Sequence, residues 1–495
     1  MKKNEFIELN ITDIGVRGEG IGKAEGFPFF VKDAVIGDTV RAVITRMKKG
    51  YGYAKMIEII KPSSFRINAP CANARRCGGC QIMELCYPEQ LKFKERKVRT
   101  NLERIGGLKE IPLLPIIGME QSDKTDTVPT GYRNKMQFPF GRGRDGEIVA
   151  GFYAGRTHSI IDTEECLVAP DVCNRILKAV RDFVVKHKIS VYNEMTGQGL
   201  VRHLVLRTGF RTGEVMVCLV LNGESLNEAS YTQNVDNDTV FVEYLLNLPL
   251  TKNKICSICI SENRENTNVI MGQKIRCLYG KDYIYDEICC GGNGKHLRFK
   301  ISPLSFYQVN PVQMEKLYQT ALEYADLTGK ERVFDLYCGT GTISLFLAKQ
   351  AKEVVGVEIV PEAIRDAEEN AKSNQITNAS FICGKSEEVF PEYVRAYRTI
   401  EEENGPDDLV VVLDPPRKGC EKVLLEAIRN VSPERIVYIS CDSATLARDL
   451  KYLTGGEDTV PGEQNTYRIE KVQPVDMFPN SVHVECVTLL TRRER

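Results

Sequence analysis

Apolar and polar residues alternate along the first part of the chain, and this pattern predicts a small β structure. The segments concerned are FIELNITDIG, FPFFVKDAV, DTVRAVITRMK and YGYAKMIEIIK, and glycine-rich turns separate them. An alternation with a period of two is typical of strands that bury one face. Short strands at this spacing favour a small closed barrel, and we predict one over residues 1–62.

Two further patterns follow the barrel. A cysteine-rich loop leads into PEQLKFKERKVRTNLERIGG, which predicts a basic helix that ends at Gly106. From about Thr127 to Gly292 the pattern is mostly that of strands, with one predicted helix near residues 170–188. Strands and helices alternate from about Lys295 onwards, which predicts a parallel α/β sheet. The predicted fold class is α/β with three domains: 1–62, a β-barrel; 63–292, a mostly-β domain with the cysteine loop; 293–495, a Rossmann-like domain.

The overall composition excludes few classes of protein, but the distribution of charge along the chain suggests a kind of partner. The 495 residues are 42% hydrophobic and 27% charged, as in an ordinary globular protein. We find no secretory signal and no run of ~20 apolar residues that could span a membrane, so we expect a cytoplasmic protein and, by default, a monomer. Between Arg66 and Arg104 there are nine Lys or Arg and four Glu, in a chain whose net charge is -1. This local excess favours a polyanionic partner, although a solvated helix face would give the same pattern.

Three cysteines in the loop have the spacing of metal ligands. Cys71, Cys77 and Cys80 form a C-x5-C-x2-C pattern, and such thiolates coordinate zinc or an iron–sulfur cluster. Both kinds of site usually take four ligands. The nearest candidate for the fourth is Cys86, and Cys166 in DTEECLVAP is the distant alternative. Spacing alone does not choose between the two metals or between the two cysteines.

The segment ERVFDLYCGTGTISLFLAK predicts a cofactor loop between a strand and a helix. Gly339 and Gly341 leave room for a ligand near the backbone, and Glu358 ends the next predicted strand after Asp335. An acidic residue at this position binds ribose hydroxyls in nucleotide-binding folds. The shortened D-x-x-C-G-x-G form is similar to that of S-adenosylmethionine-dependent methyltransferases. Asp414, in DLVVVLDPPRKG, is predicted to lie at the same carboxyl edge of the sheet, where ligands bind.

A cysteine stands where a predicted strand gives way to a helix in VYISCDSATLARDL. Cys441 is predicted to end that strand at the cofactor edge, and the N-terminus of the following helix favours its thiolate form. A thiolate beside a methyl donor indicates covalent catalysis on a poor carbon nucleophile such as C5 of uracil. A base must then remove the C5 proton, and FPNSVHVECVTLL supplies His483 and Glu485 in the last predicted strand. Both stay candidates at this point, and Glu485 lies in an apolar run, where a carboxylate is costly without a function.

The order of several motifs resembles that of one enzyme family, the bacterial 23S ribosomal RNA (uracil-5-)-methyltransferases. The motifs are SPLSFYQVN, DLYCGTG, GVE, LDPPRKG, YISCDSATLARDL and HVECVTLL. The resemblance covers nearly the whole chain and implies a TRAM barrel of the OB kind, ribosomal RNA as partner and S-adenosylmethionine as methyl donor. It implies that Cys441 is the nucleophile and Glu485 the base. It also implies a set of cofactor-binding residues: Gln308, Tyr337, Glu358 and Asp414.

The same resemblance implies a 4Fe-4S cluster and a choice of its fourth ligand. In this interpretation Cys86 is left out, and the ligands are Cys71, Cys77, Cys80 and Cys166. The cluster is expected to shape the RNA-binding domain, because methyl transfer needs no electron.

Two details of the resemblance concern single segments. The segment GYRNKMQFP, with Arg133, Asn134 and Lys135, resembles the part of the family's central domain that faces the RNA. Thr342 departs from the pattern because some relatives have Asn there, so no cofactor contact is carried over to it.

Two alternatives stay open from the sequence. A tRNA uracil-5-methyltransferase would show the same catalytic motifs, and a non-catalytic RNA-binding factor could share the barrel. Many bacterial relatives devoted to tRNA lack the barrel and the cysteine loop, which favours ribosomal RNA, although some tRNA enzymes elsewhere retain both. Intact Cys441 and Glu485 favour an enzyme over a binding factor.

Overall fold

The N-terminal residues form a closed barrel with the strand order β1-β2-β3-β5-β4. The computed structural model describes residues 1–120, 128–155, 157–229, 236–290, 295–400, 408–455 and 467–493. The barrel strands are β1 (Phe6–Ile14), β2 (Gly20–Ala24), β3 (Phe27–Lys32), β4 (Thr39–Met47) and β5 (Gly52–Lys61). Inward-facing side chains such as Leu9, Phe29 and Val40 fill its core. The barrel predicted from the alternating pattern is therefore confirmed.

The central part of the chain forms a seven-stranded mixed sheet in the order β12-β11-β10-β9-β6-β7-β8. The elements from here are α1 (Tyr87–Arg104), β6 (Lys135–Arg142), β7 (Ile148–Tyr153), β8 (Ile160–Asp162), α2 (Asp171–Lys186), β9 (Val201–Thr208), β10 (Glu214–Leu221), α3 (Asn237–Leu246), β11 (Lys254–Glu262) and β12 (Lys274–Gly280). Helices α2 and α3 share one apolar core with the sheet.

Helix α3 departs from the prediction of a single helix in this region. Its sequence NDTVFVEYLL is rich in β-branched and aromatic residues, which favour strands. The helix forms because the Asp236 side chain caps it by accepting a hydrogen bond from the Asp238 N–H, and because Phe241 and Leu245 are buried. Tertiary packing thus overrides the local preference.

The C-terminal part forms a second seven-stranded sheet in the order β17-β16-β15-β18-β19-β21-β20. The elements are β13 (Ile284–Cys289), β14 (His296–Ile301), α4 (Pro311–Ala325), β15 (Arg332–Asp335), α5 (Thr342–Leu347), β16 (Glu353–Glu358), α6 (Pro361–Ser373), β17 (Ala379–Cys383), α7 (Ser386–Ile400), β18 (Leu409–Leu413), α8 (Lys422–Val431), β19 (Arg435–Ser440), α9 (Ser443–Leu453), β20 (Tyr467–Val475) and β21 (Glu485–Arg492).

The alternation of strands and helices predicted for this part is confirmed, but the sheet is not wholly parallel. β21 runs antiparallel to both β19 and β20. The predicted domain boundary between residues 292 and 293, and the predicted start of the mostly-β pattern at about residue 127, lie outside the described residues. That boundary falls between β13 and β14, which pair with each other. No helix among the described residues is long and apolar enough to cross a membrane.

Helix α1 packs against the C-terminal part of the chain and buries a lysine there. The Lys94 ammonium and the Asp476 carboxylate are both inaccessible to solvent and lie 2.5 Å apart. Tyr87 donates a hydrogen bond to the same carboxylate at 2.8 Å, and Lys94 donates another to the Phe478 carbonyl at 2.9 Å. Burial lowers the pKa of Lys94, and the charge of Asp476 opposes that shift. The ion pair thereby links α1 to the chain that follows β20.

Only some of the cations between Arg66 and Arg104 are exposed to solvent. Arg66 forms an ion pair with Asp38 at 2.6 Å, and Lys97 donates a hydrogen bond to the Val482 carbonyl at 2.8 Å. Together with Lys94, these cations stabilise contacts between parts of the fold. A polyanion would therefore meet the exposed cations of α1, which are Lys92, Arg96, Arg99 and Arg104.

Replacing Lys94 by Met should destabilise the protein, because the Asp476 carboxylate would stay buried without its counter-ion. Removing one partner of a buried ion pair costs about 3–5 kcal/mol. The matched control is Arg96→Met on the same helix, where the side chain is exposed and a surface charge contributes at most ~0.5 kcal/mol. Thermal unfolding followed by circular dichroism should give a clearly lower midpoint for Lys94→Met than for Arg96→Met. Equal midpoints would contradict this role of the ion pair.

Candidate active site

The predicted cofactor residues and the predicted nucleophile lie at one edge of the C-terminal sheet. The strands β15, β16, β18 and β19 are parallel, and Asp335, Glu358, Asp414 and Cys441 stand at or just after their carboxyl ends. Because β21 runs antiparallel to β19, its first residue, Glu485, lies at this same edge. The sheet thus brings together residues that are far apart in the sequence.

The register of β19 and β21 sets Cys441 against Glu485. Ser440 pairs with Cys486 in the antiparallel ladder, so the residue after Ser440 stands across from the residue before Cys486. The sequence pattern predicted that Cys441 ends this strand. In the structure β19 ends at Ser440, and Cys441 is the next residue. Since directly opposed residues in an antiparallel pair are close neighbours, a thiol and a carboxyl group share one small space.

Burial is the main influence on the protonation of Cys441. Burial, with smaller contributions from Glu485 and Asp414, raises the pKa of the Cys441 thiol to about 12. Helix α9 begins at Ser443 as expected, and a helix N-terminus supplies about half an elementary charge that favours the thiolate. That contribution of the helix stays a prediction, and in the free protein burial favours the thiol.

The carboxyl groups at this edge also have raised pKa values. Glu485 is 3% exposed, its Oε2 atom has no hydrogen-bond partner among the described residues, and burial raises its pKa well above the ordinary value, with a further contribution from Asp414. Burial and the neighbouring Asp335 raise the pKa of Asp414 to about 7. Burial raises the pKa of Asp335 to about 6, although Ser344 donates a hydrogen bond to it at 2.6 Å. The edge therefore gathers carboxyl groups whose charged forms are disfavoured by burial and by one another.

Arg417 belongs to this site, although sequence reasoning did not single it out. Its charge lowers the pKa of both Cys441 and Glu485, against the larger effect of burial. Thr445 in the first turn of α9 donates a hydrogen bond to the Arg417 carbonyl at 3.2 Å, which fixes this segment beside the helix. The signal in the sequence was a cation directly after the two prolines of DPPRKG, where the chain leaves the sheet edge.

His483 precedes β21 rather than lying in it. Its ring packs edge-on to Phe478, with 6.2 Å between the ring centroids. Burial and the nearby cations Arg417 and Lys97 lower the pKa of His483 to about 4, so the imidazole is neutral near pH 7.

The glycine loop leaves open space at the ends of β15 and β16. Gly339 has a φ of +53°, and a side chain there would meet no other atom within 4 Å. Its N–H donates a hydrogen bond to Glu358 at 3.3 Å, and the other oxygen of Glu358 accepts one from the Val360 N–H at 2.9 Å. Tyr337 is partly buried in this loop, beside the thiol of Cys420. A ligand can therefore lie over the loop, within reach of Glu358.

Gln308 lies shortly before α4 and contacts the residue that precedes β6 of the central sheet. The residue is 6% exposed, and its backbone carbonyl accepts a hydrogen bond from the Asn134 side chain at 2.9 Å. Asn134 also donates its backbone N–H to the Val309 carbonyl at 2.9 Å. Thr342 is engaged elsewhere, in a hydrogen bond of 3.1 Å with the Tyr318 hydroxyl.

The four cysteines that the resemblance selected come together from two distant loops. All six pairs among Cys71, Cys77, Cys80 and Cys166 interact electrostatically. Burial raises the pKa of Cys80 to about 12 and that of Cys166 to about 11. Cys86 instead stands at the N-cap of α1. Over the described ranges, no three or more His, Cys, Asp or Glu side chains form a site that could hold a metal ion, so the predicted metal site is not shown.

Comparison with known proteins places the chain among RNA-modifying enzymes. The family model described as tRNA (Uracil-5-)-methyltransferase matches residues 259–493, and the TRAM domain model matches residues 2–57. An uncharacterized RNA methyltransferase of Clostridium tetani is 44% identical over 491 residues, which cover 99% of this chain and 97% of the relative. Another from Bacillus cereus is 42% identical over 496 residues, covering 100% and 98%.

One solved structure is similar over the same length. The crystal structure of Pyrococcus abyssi tRNA (uracil-54, C5)-methyltransferase in complex with S-adenosyl-L-homocysteine has a TM-score of 0.69 and 26% sequence identity, and covers 98% of this chain and 100% of that chain. The fold class and the TRAM barrel predicted from the sequence are confirmed. The chain therefore belongs to the family of RNA (uracil-5-)-methyltransferases that carry a TRAM domain.

Proposed function

We propose that this protein transfers a methyl group from S-adenosylmethionine to C5 of a uridine in 23S ribosomal RNA through a covalent bond between Cys441 and C6. The observation that carries the proposal is the register of β19 and β21, which sets the Cys441 thiol against the Glu485 carboxyl group. A nucleophile, a base and an open cofactor loop are the parts that this reaction needs.

The cofactor half of the site is formed by Gln308, Tyr337, Glu358 and Asp414. S-adenosylmethionine supplies the methyl group when it is bound. The open space over Gly339 suits a nucleoside, and Glu358 is placed to accept hydrogen bonds from ribose hydroxyls. Asp414 is the member of this half that also acts on Cys441, and its ionised form favours a positively charged sulfur. The similar Pyrococcus abyssi structure contains S-adenosyl-L-homocysteine, which supports this choice of donor.

The residues of the chain account for the remaining steps. The target base first leaves its stack to reach the sheet edge. Cys441 gives its proton to water and its sulfur bonds to C6, while the electrons of the C5–C6 double bond shift toward C5, which takes the methyl group as the bond between that methyl and the donor sulfur breaks. Glu485 takes the proton from C5, the double bond forms again, and the bond between sulfur and C6 breaks to release Cys441.

The choice of ribosomal RNA rests on the resemblance of the motifs, and tRNA is the second candidate. The observation that favours tRNA is the similarity to the Pyrococcus abyssi tRNA enzyme, which extends over 98% of this chain and so includes the barrel. A TRAM barrel is therefore compatible with either RNA, and only the labelled product distinguishes them.

Replacing Cys441 by Ala should reduce methyl transfer by at least about 10³-fold, because no atom would remain to bond C6. The assay uses radiolabelled S-adenosylmethionine, undermethylated bacterial ribosomal RNA and, in parallel, tRNA, with the labelled nucleoside identified after digestion. Glu485→Gln should instead retain a protein–RNA adduct that survives a denaturing gel, because the C5 proton is not removed. The control is Cys383→Ala, an exposed cysteine at the end of β17.

Three results of this assay would change the proposal. Full activity of Cys441→Ala would exclude the covalent mechanism. Label in tRNA alone would keep the mechanism and exclude ribosomal RNA as the substrate. Label in a nucleoside other than 5-methyluridine would exclude the reaction itself.

Replacing Arg417 by Gln should move the rising limb of the pH–rate profile to higher pH. Arg417 lowers the pKa of Cys441 and Glu485, and both groups act in their deprotonated forms, so removing its charge raises both pKa values and slows the reaction at a given pH below them. The control is Lys418→Gln, which removes a charge from the next residue, where the exposed ammonium pairs with Glu421 at 2.7 Å. Profiles that coincide for the two variants would exclude an electrostatic role for Arg417.

We further propose that Cys71, Cys77, Cys80 and Cys166 hold an iron–sulfur cluster, as the family resemblance implies. Their mutual electrostatic interaction supports a common ligand. The described residues contain no group of three or more side chains that could hold a metal ion, so the choice of a cluster over a single zinc ion rests on the family resemblance. A cluster of several irons spreads its ligands more widely and would cross-link the two loops, while no step of methyl transfer passes through it.

Replacing Cys166 by Ser should lower the iron and sulfide content of anaerobically purified protein, together with its visible absorption. Cys86→Ser is the matched control and should retain both, because Cys86 stands apart at the N-cap of α1. Stoichiometric zinc without sulfide would contradict the iron–sulfur assignment, and equal losses in both variants would contradict the choice of the fourth ligand.

A further inference from the structure

Two cations lie directly opposite each other on the central sheet. Strands β6 and β9 are antiparallel, and their register pairs Lys135 with Arg207. Side chains of directly opposed residues lie on the same face of a sheet, and like charges in such pairs destabilise it. The pair therefore stores a repulsion that a nearby anion would relieve.

Neither cation has an acidic partner in the part of the chain that the structure describes. The charged or titratable side chains that act on Lys135 are Arg207, Arg133 and the Cys218 thiol, and no carboxyl group is among them. Arg207 is 2% exposed and donates hydrogen bonds to the Pro303 and Ser305 carbonyls, but its Nε atom has no partner. Because charges that are buried in proteins are ordinarily paired, this arrangement calls for an anion from outside the chain.

The two cations border the segment that carries Gln308. Arg207 holds the carbonyls of Pro303 and Ser305, which precede Gln308 in the same segment. Asn134, the neighbour of Lys135, donates its side-chain hydrogen bond to the Gln308 carbonyl. An anion bound here would therefore lie beside the proposed cofactor half of the site, close to where a target base has to enter.

We propose that Lys135 and Arg207 form a binding site for one phosphate group of the RNA backbone, with the Lys135 ammonium as the contacting group and Arg207 as the buried charge behind it. Lys135 is only partly buried and is thus within reach of a strand outside the protein. The charge of Arg133 acts on both Lys135 and Cys80. The inference deepens the proposed function and rests on it in one respect, that the ligand is RNA.

The charge of Lys135 is sensitive to pH in a range that can be tested. Burial and the neighbouring cations Arg207 on β9 and Arg133 on the preceding segment lower the pKa of Lys135 to about 8, and the thiol of Cys218 on β10 opposes them. A bound phosphate would raise this pKa. The free protein therefore loses the charge as the pH rises through about 8, and binding takes up a proton.

The experiment measures binding of a fluorescein-labelled single-stranded oligouridylate by anisotropy, without methyl donor, at several salt concentrations. Lys135→Met should weaken binding by about 10-fold and reduce the slope of log K against log salt by about one, as expected for one lost phosphate contact. The control is Lys254→Met, which removes an exposed lysine at the start of β11 and should leave the slope unchanged. The affinity of the natural protein should fall as the pH rises through 8, and Lys135→Arg should remove this dependence because its charge is permanent.

Two outcomes would overturn the inference. The first is a salt slope for Lys135→Met equal to that of Lys254→Met. The second is that Lys135→Met leaves the salt slope unchanged but loses binding of S-adenosylhomocysteine, measured by calorimetry. That result would show that the anion bound by Lys135 is the carboxylate of the cofactor. Because no methyl transfer is measured, a changed slope supports the site even if the proposed uridine methylation fails. Lys135 is only partly buried, so its variants test the site without removing the buried Arg207.

Discussion

The buried ion pair between Lys94 and Asp476 is the interaction on which the arrangement of the site depends. Its partners are 382 residues apart in the sequence, and neither is accessible to solvent. Hydrogen bonds to backbone carbonyls fix the chain between Asp476 and Glu485. The Lys97 side chain donates one to the Val482 carbonyl, and the Gln313 side chain in α4 donates one to the Asp476 carbonyl at 3.1 Å. The position of the proposed base is thus set by α1, a helix from the N-terminal third of the chain, and not by the C-terminal sheet alone.

The site combines two regions whose titratable groups are of opposite charge type. Asp335, Asp414 and Glu485 gather at the sheet edge, and their pKa values are raised because burial and mutual repulsion disfavour the charged forms. Lys135 and Arg207 face each other on the central sheet; burial lowers the pKa of both, and the charge of Arg207 lowers that of Lys135 further. Groups of like charge that are held close together store electrostatic free energy, and a ligand of opposite charge relieves it. A sulfonium donor and an RNA phosphate, the two ligands of the proposals above, meet these two requirements.

Much of the fold could be predicted from local patterns. The period-two alternation of residues 1–62 identified the barrel, and the alternation of strands and helices identified the C-terminal sheet. Helix α3 was not predicted because its β-branched and aromatic residues favour a strand, and only its burial against the central sheet makes it helical. The burial of Lys94 was not predicted either, since a basic helix has the same pattern whether its lysines face solvent or a distant carboxylate.

The sequence by itself determined which residue types stand at the ends of which strands, and so it identified the glycine loop, Glu358, Asp414, Cys441 and Glu485 as candidates. Only the tertiary structure decided how they meet: the antiparallel pairing of β21 with β19 sets Cys441 against Glu485, and the packing of two loops gathers four cysteines. It also raised the pKa of Cys441, mainly because the folded chain buries the thiol and secondarily because it sets carboxyl groups from other strands beside it. The physical reason is that local patterns fix backbone conformation, whereas pairing and pKa values depend on distances between residues that are far apart in the chain.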